Sequence, residues 1–277
     1  MSQFPRTVVG GVSMPRLICG SNWFMGFSHT SQAKDKWIRE TFNTAKKVAD
    51  VVEVFARHGC NAFMSGTSEF VREALDEVEQ RTGIEMIWVA TPNPGENDFD
   101  CWKREVDRTK KLRATFCYPH MCFTDPRVDR INKCLTPDLI RNLRYVREME
   151  MIPGLSTHMP EAIVYGDSSA PELVESYVQP YNALGFLCQV ETDWVQQVIH
   201  AAKKPVMTIK PLAAGRLLPP TGLAFVWNTI RDCDMVTIGT MSTYEAEEVI
   251  ELSLANLERR KAEVDLQSTR SKATLSV

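Results

Sequence analysis

The fold is decided by one stretch: PVMTIKPLAAGR (205–216), then GLAFVW (222–227), then MVTIGTMSTYEAEE (235–248). The first and third segments begin as continuous apolar runs rich in β-branched residues, the pattern of parallel strands that are covered on both faces. Each run ends in a turn that contains Gly and leads towards a helical pattern. Strand, helix, strand and helix follow one another, which predicts the βαβα unit of an α/β protein.

The same alternation extends through the rest of the chain. Six further strands are predicted over 16–22, 61–66, 84–91, 114–120, 151–157 and 177–182. Apolar residues at helical spacing predict helices over 35–58, 69–81, 99–112, 136–148, 160–165, 194–202 and 245–262.

Eight strands that alternate with helices predict an α/β protein of the (β/α)8 TIM-barrel class, which needs roughly 250 residues. We expect a single domain over 1–265 and a polar C-terminal tail over 266–277. The alternative is a doubly wound sheet, which would place a Gly-x-Gly-x-x-Gly turn after the first strand. The chain has Gly20-Ser21-Asn22-Trp23 there instead.

Composition argues against several classes of function. A net charge of −3 gives no sign of a nucleic-acid or membrane-surface footprint, and no apolar run approaches the roughly 18 residues of a membrane helix. The N-terminus lacks the apolar core of a signal peptide, and eight cysteines without a C-x-x-C pair indicate reduced thiols, with a disulfide framework as the alternative. We expect a cytoplasmic protein that binds a small-molecule substrate, without nucleic-acid or membrane partners. A homo-oligomer stays open.

Polar side chains follow the predicted strands at their C-terminal ends, where (β/α)8 barrels carry out their chemistry. They suit a small polar substrate, and they are Asn22, Ser65, Asn93, His120, His158, Gln179, Asn182 and Lys210. Among them we expect substrate contacts from Asn22, Gln179 and Asn182, together with Trp23.

Lys210 ends an apolar strand just before Pro211, so we expect its side chain in the barrel mouth. Desolvation there would lower its pKa and allow it to act as base, electrophile or Schiff-base amine. The alternative is a lysine paired with a carboxylate or a backbone carbonyl. His120 and His158 are the expected partners in proton transfer. Their alternatives are a structural hydrogen bond and a solvated loop histidine.

A metal site is not expected. Cys117, His120 and Cys122 lie close in sequence, but strand alternation places Cys117 on the face opposite His120. No predicted strand end carries Asp or Glu as a further ligand. The aromatic residues 23–27, with His29 beyond them, are interpreted as a lid, as part of the core or as a dimer contact.

Several of these segments together resemble the aldo-keto reductases. The C-terminal third carries the resemblance in 210–217, 223–227 and 238–242, most like the branch with a Lys-Pro-Leu turn, and 153–161 and 178–184 agree with it. The resemblance implies a (β/α)8 barrel, the cofactor NADPH, and reduction of a carbonyl by a set of Asp, Tyr, Lys and His.

Most of that catalytic set has no counterpart in the chain. Met64 stands where the family has its Asp, the loop 65–69 contains no Tyr, and Pro92 follows Thr91 where the family has its Lys. His120 alone matches the family's His. Without a phenol beside a lysine, nothing obvious protonates the alkoxide that hydride transfer would form.

The cofactor end departs from the family as well. The family holds the 2′-phosphate of NADPH with basic residues at the start of the last helix, whereas this chain has Glu245, Glu247 and Glu248. By the same resemblance, candidate cofactor-binding residues remain. Gly215 and Arg216 lie in a small-residue loop that could hold a phosphate, and the others are Ser156, Gly239 and Ser242. NAD(P) binding is neither supported nor excluded.

Three hypotheses follow. The chain is an enzyme that acts by acid–base chemistry on a small polar metabolite, sugar-like or a carboxylate, through His120 and Lys210. Alternatively, it is an NAD(P)-dependent oxidoreductase with a rearranged active site, or a non-catalytic barrel that binds a metabolite. Analogy of fold does not choose among them.

Overall fold

The computed structural model describes residues 4–95, 98–265, 267 and 269–273. Its centre is a barrel of parallel strands, in which the last strand pairs with the first through Thr237 and Ile18. The barrel strands are β1 (Leu17–Gly20), β2 (Ala62–Ser65), β3 (Ile87–Ala90), β4 (Phe116–Cys117), β5 (Ile152–Pro153, continued by Leu155–Ser156), β6 (Tyr177–Pro180), β7 (Val206–Ile209) and β8 (Met235–Ile238). The predicted (β/α)8 barrel is confirmed.

The strand β5 bends in the middle and so joins its two neighbours. Its first half pairs with β4 through Pro153 and Cys117, and its second half pairs with β6 through Leu155 and Tyr177. Gly154 lies at the bend, where a side chain would collide with the Tyr118 ring and the Ser176 carbonyl. Glycine is therefore needed for the barrel to close at this point.

The helices cover the outside of the barrel through one continuous apolar cluster. They are α1 (Asn22–Met25), α2 (Gln32–Thr41), α3 (Ala45–Arg57), α4 (Glu69–Thr82), α5 (Phe99–Lys111), α6 (Met121–Thr124), α7 (Pro137–Glu148), α8 (Glu161–Ser169), α9 (Thr192–Ala201), α10 (Pro219–Thr229) and α11 (Thr243–Glu258).

The helix predicted over 35–58 is wrong as a single element, because two helices, α2 and α3, occupy it. Thr44 separates them: its hydroxyl accepts a hydrogen bond from the backbone N–H of Lys47 and caps α3. The aromatic stretch begins with the short helix α1, Asn22–Met25.

The sequence analysis also missed two hairpins. Arg6–Val9 and Val12–Pro15 pair across Gly10 and Gly11, which both have positive φ, as a two-residue turn requires. Val9 and Met14 of this hairpin pack inside the barrel against Ile18. Burying each of them is worth about 1.5–3 kcal/mol, so the hairpin closes the N-terminal end of the barrel. A second hairpin, Val128–Asp129 with Cys134–Leu135, follows α6.

The division between a domain over 1–265 and a tail over 266–277 stays a prediction. Part of the tail lies outside the described residues, and Thr269 accepts a hydrogen bond from the N–H of Lys272 through its carbonyl. Within the described part of the chain, no helix combines the length and the apolar character that crossing a membrane demands.

Candidate functional site

Lys210 lies directly after β7, at the C-terminal end of the barrel. Its φ of +63° is in the left-handed region, which residues other than Gly seldom adopt. Its carbonyl accepts a hydrogen bond from Ala213 N at 2.9 Å, and Pro211 follows. Such a backbone costs of order 1–3 kcal/mol and persists because its surroundings impose it. The turn therefore fixes where the lysine side chain leaves the strand.

The Lys210 ammonium group is partly buried and unpaired. Among the described residues, no hydrogen bond or ion pair involves its Nζ atom. Burial lowers the pKa of Lys210 to about 8, and no acidic neighbour contributes an opposing effect. The predicted alternative, a lysine paired with a carboxylate, has no support in the described part of the chain.

The charge of Lys210 acts on three histidines. Burial lowers the pKa of His120, and the charge of Lys210 lowers it further. For His158, burial together with Lys210, His120 and His29 lowers the pKa to about 4. The pKa of His29 is also lowered, first by burial and then by Lys210, although Asp35 opposes the shift. The structure thus brings together His120, His158 and Lys210, the three predicted catalytic residues.

His120 is held by the start of α6. Its Nδ1 atom accepts a hydrogen bond from Cys122 N at 3.3 Å, which caps that helix. Its own N–H donates to the Pro92 carbonyl at 3.0 Å. Because Nδ1 is the acceptor, the neutral ring carries its proton on Nε2.

His158 is placed by a carboxylate that the sequence analysis did not select. Asp125, after α6, accepts hydrogen bonds from the Thr157 hydroxyl and from His158 N, the latter at 3.2 Å. Burial raises the pKa of Asp125, and these hydrogen bonds oppose the rise. Asp125 directly precedes Pro126 in a long connection, which gave no strand-end signal in the sequence.

Three loops meet at the rim of the mouth. The Arg216 guanidinium donates to the His29 carbonyl at 3.3 Å and lies 4.2 Å from the centroid of the Phe186 ring. The His29 and Phe186 rings meet edge-to-face with centroids 6.1 Å apart. Contacts at the rim therefore join the loops after β1, β6 and β7. The interpretation of the His29 region as a lid stays a prediction.

The predicted substrate-binding residues Asn22, Trp23 and Asn182 lie in different environments. Asn22 Nδ2 lies 3.3 Å from His29 Nε2, at the rim. Trp23 lies against Gly239, so close that a Cβ added to the glycine would lie 2.6 Å from the indole. Asn182 is fully buried, and its amide bonds to backbone N–H and C=O groups of its own loop, including Phe186 N at 2.9 Å and Phe186 O at 3.0 Å.

Gln179 is also fully buried. Tyr177 and Tyr181, two residues to either side, both belong to the apolar cluster between strands and helices. Alternation therefore places Gln179 on that side of the strand rather than inside the barrel. Its Nε2 lies 3.5 Å from the His158 carbonyl, and its Oε1 has no partner among the described residues. Its contact with substrate stays a prediction.

The backbone N–H groups of the candidate phosphate loop donate hydrogen bonds to carbonyls of the same turn. Ala213, Ala214 and Gly215 all have positive φ. The N–H groups of Ala213, Gly215 and Leu217 donate to carbonyls of residues 210 and 212. Arg216 Nη1 donates to the Ala213 carbonyl at 3.0 Å. This turn therefore leaves few free donors for a phosphate.

At the start of the last helix, backbone N–H groups likewise donate to side chains of the helix itself. Ser242 Oγ accepts from Glu245 N at 3.1 Å, and a Glu245 carboxylate oxygen accepts from Met241 N at 2.6 Å. The side chains of Ser242 and Glu245 thus accept from two backbone N–H groups at the start of the helix, and a carboxylate already occupies its positive end. Ser156 is nearly buried, and its N–H donates to the Pro119 carbonyl. As they stand, these residues do not fit the phosphates of NADPH.

Within the described part of the chain, no three His, Cys, Asp or Glu side chains come together as a metal site would require. Cys117 is fully buried, and burial raises the pKa of its thiol. Cys122 is exposed, with its Sγ atom 3.2 Å from Met121 Sδ.

Comparison of whole structures agrees with the barrel described above. No protein-family model and no curated protein matches the chain in sequence. A Pseudomonas aeruginosa protein provisionally named as an aldo-keto reductase superposes with a TM-score of 0.67 at 15% identity, covering 91% of this chain and 96% of that one. The chain has the aldo-keto reductase fold.

Two further structures extend this likeness over nearly the full length. A Bombyx mori aldo-keto reductase, solved in complex with NADP, has a TM-score of 0.64 at 10% identity and covers 99% of this chain and 98% of its own. A glycerol dehydrogenase from Gluconobacter oxydans has a TM-score of 0.58 at 11% identity, covering 95% and 99%. At such identities the aldo-keto reductase-like barrel shares the fold, and its chemistry has to be argued from its own residues.

Proposed function

We propose that this barrel is a cytoplasmic enzyme that performs acid–base chemistry on a small polar metabolite at the mouth formed around Lys210. The observation that carries the proposal is the unpaired, partly buried lysine, whose charge acts on three neighbouring histidines. Structural charges are usually paired when they are buried, whereas a group with a strongly perturbed pKa in a cleft is a candidate for function.

The perturbed pKa values of Lys210 and His158 indicate a different role for each group. A pKa of about 8 leaves Lys210 mostly protonated at pH 7, so it can donate a proton or a hydrogen bond to a substrate oxygen. A pKa of about 4 leaves His158 neutral at the same pH, so it can accept a proton. Two titratable groups whose pKa values are pushed apart form an acid and base pair. His120, with its proton on Nε2, is the second proton carrier.

A reductase mechanism has little support in this site. Met64, at the family's Asp position, packs in the apolar cluster inside the barrel and carries no acid or base. The turn at 213–217 and the start of α11 do not fit NADPH phosphates. We therefore expect no reduction of generic aldehydes or ketones by NADPH, since loss of a positioned acid alone costs about 10² to 10⁴ in rate.

The proposal is tested by solvent deuterium exchange. A panel of small oxo acids and sugars is incubated with the protein in deuterated buffer, and exchange at carbons next to a carbonyl is followed by NMR. We expect exchange with at least one substrate, and loss of that exchange in Lys210→Met. The matched control is Lys204→Met, at the opposite end of β7. Equal exchange in all three proteins would contradict the proposal.

Two further outcomes assign the alternatives. Binding of a panel member without exchange by any variant would indicate a metabolite-binding barrel instead of an enzyme. Calorimetric titration with NADPH and NADH tests the oxidoreductase: a dissociation constant below about 100 μM, roughly −5.5 kcal/mol, would place it above the acid–base proposal. Whether the protein forms a homo-oligomer is a separate question, which light scattering answers.

A further inference from the structure

We propose that Lys210 forms a covalent imine with 2-oxo acids, so that the substrate of the mouth is a carboxylate with a neighbouring carbonyl. This inference rests on the proposed function and deepens it, because it names both the substrate class and the bond that forms.

Lys210 meets the requirements of an amine nucleophile. It lies directly after β7 with a positive φ, and its side chain is partly buried. Among the described residues it has no carboxylate partner to hold it in the ammonium form. Desolvation is one of the ways in which a lysine is activated for Schiff-base chemistry.

The neutral amine is also abundant enough to react. With a pKa of about 8, about one Lys210 in five is neutral at pH 7.4, against about one in a thousand for an ordinary lysine. Most of the lysines of the chain have no comparable environment, and Lys204 on the same strand is paired with Glu175 at 3.4 Å.

The charge around the lysine selects the second feature of the substrate. Burial lowers the pKa of His29, His120 and His158, and the charge of Lys210 lowers each of them further, although Asp35 opposes the shift at His29. A carboxylate bound there would supply the missing negative charge. It would also raise the pKa of the histidines and draw a proton onto one of them.

The covalent step balances without any oxidant or reductant. The neutral Lys210 Nζ attacks the carbonyl carbon, a C–N bond forms, and the C=O π pair moves to the oxygen, which takes a proton from a histidine. The nitrogen loses a proton to a second histidine. Protonation of the new hydroxyl then releases water and leaves a protonated imine. Amine, 2-oxo acid and one proton thus give iminium and water, and His120 and His158 carry the protons.

Borohydride trapping tests the inference on the full-length protein. The protein is incubated with pyruvate or glyoxylate, sodium borohydride is added, and the reduced adduct is located by peptide mass spectrometry. We expect the adduct on Lys210 at least about tenfold above any other lysine, as its neutral fraction implies. Lys210→Arg keeps a positive charge without a free amine and should lose the adduct. Lys204→Arg is the matched control and should keep it.

Two probes separate the two features of the substrate. Acetone carries the carbonyl without the carboxylate, and lactate carries the carboxylate without the carbonyl. We expect little adduct with acetone, and competition by lactate against pyruvate. Adduct spread evenly over Lys103, Lys110 and Lys210 would overturn the inference. If lactate binds and exchange still depends on Lys210 but no adduct forms, the imine is wrong and the acid–base proposal survives. If neither binding nor exchange is seen, both are wrong.

Discussion

The two ends of β7 carry two lysines in opposite situations. At the N-terminal end, Lys204 Nζ lies 3.4 Å from a Glu175 carboxylate oxygen. At the C-terminal end, Lys210 has no such partner among the described residues, and burial lowers its pKa to about 8. The lysine charge is therefore balanced by a carboxylate at the N-terminal end of β7, and it is unbalanced at the C-terminal end.

The contrast extends to the neighbouring elements. Near the N-terminal ends of β7 and β8, the fully buried Asp234 accepts hydrogen bonds from Val206 N at 2.8 Å and from Arg231 at 2.7 Å. Arg16, before β1, donates to the Asp234 carbonyl at 2.9 Å. At the mouth, Lys210 faces histidines instead. Paired charges at one end join strand starts, whereas an unpaired, partly buried charge at the other end costs stability, and we propose that it is retained for chemistry.

The largest effect is expected on activity at the mouth. Lys210→Met should reduce deuterium exchange by about 10² to 10⁴, since it removes the acid that faces the substrate. Lys204→Met, at the other end of the same strand, should change the exchange rate by no more than a few-fold. Exchange rates of both variants by NMR measure the difference. A loss of similar size in Lys204→Met would erase the distinction between the two ends.

The next largest effect is expected on stability at the N-terminal end. Asp234→Ala leaves Arg231 without its partner and Val206 N without its acceptor, so we expect a loss of about 3–5 kcal/mol in the free energy of unfolding. The control is Asp232→Ala, whose exposed carboxylate lies 3.9 Å from Arg16 and should cost less than about 1 kcal/mol. Urea denaturation measures the free energy of unfolding of both variants. Equal losses would show that the buried pair of Arg231 and Asp234 contributes no more stability than the exposed pair of Arg16 and Asp232.

Lys210→Met should raise stability at neutral pH. The pKa of Lys210 is lowered from 10.5 to about 8 in the folded state, so between these pH values the unfolded chain binds more protons and stability rises with pH. Below pH 8 the folded state bears the full cost of about 3 kcal/mol. The variant should therefore gain up to about 3 kcal/mol at pH 7, and the gain should vanish towards pH 10.5. Destabilisation at pH 7 would indicate a structural lysine.

A smaller effect is expected from His158 on the acid side. Its pKa is lowered from 6.5 to about 4 in the folded state. As the pH falls from 6.5 towards 4, the histidine is therefore protonated in the unfolded chain while it stays neutral in the folded chain. Stability should fall by about 2 kcal/mol between pH 7 and pH 4, with solvent screening taken into account. His158→Gln should reduce this loss. Denaturation at both pH values is the measurement.

The barrel could be predicted because its strands are continuous apolar runs between turn residues, a pattern set by burial on both faces. Lys210 and His158 could be predicted because each directly follows such a run. Asp125 could not, since it lies beyond α6, away from the barrel strands in the sequence, and meets Thr157 only in the folded chain. Gln179 and Asn182 show the converse: polar residues at a strand end were expected in the mouth, but both are fully buried. Which way a side chain points after a strand depends on the turn that follows.

The N-terminal hairpin shows another limit. Gly10 and Gly11 between Val9 and Val12 carry a hairpin signal, but each strand has only four residues. The hairpin closes the N-terminal end of the barrel because Val9 and Met14 pack with Ile18 and Met207 inside it. Packing of this kind joins distant parts of the chain and leaves no local pattern.

The central claim is that Lys210 is an unpaired amine with a lowered pKa. It is tested most directly by the pH dependence of labelling with a lysine-directed reagent, resolved by peptide mass spectrometry. We expect the labelling rate of Lys210 to titrate with a pKa of about 8, and to exceed the rates of Lys103, Lys110 and Lys204 near neutral pH. A Lys210 that titrates near 10.5 and labels no faster than those lysines would contradict the account.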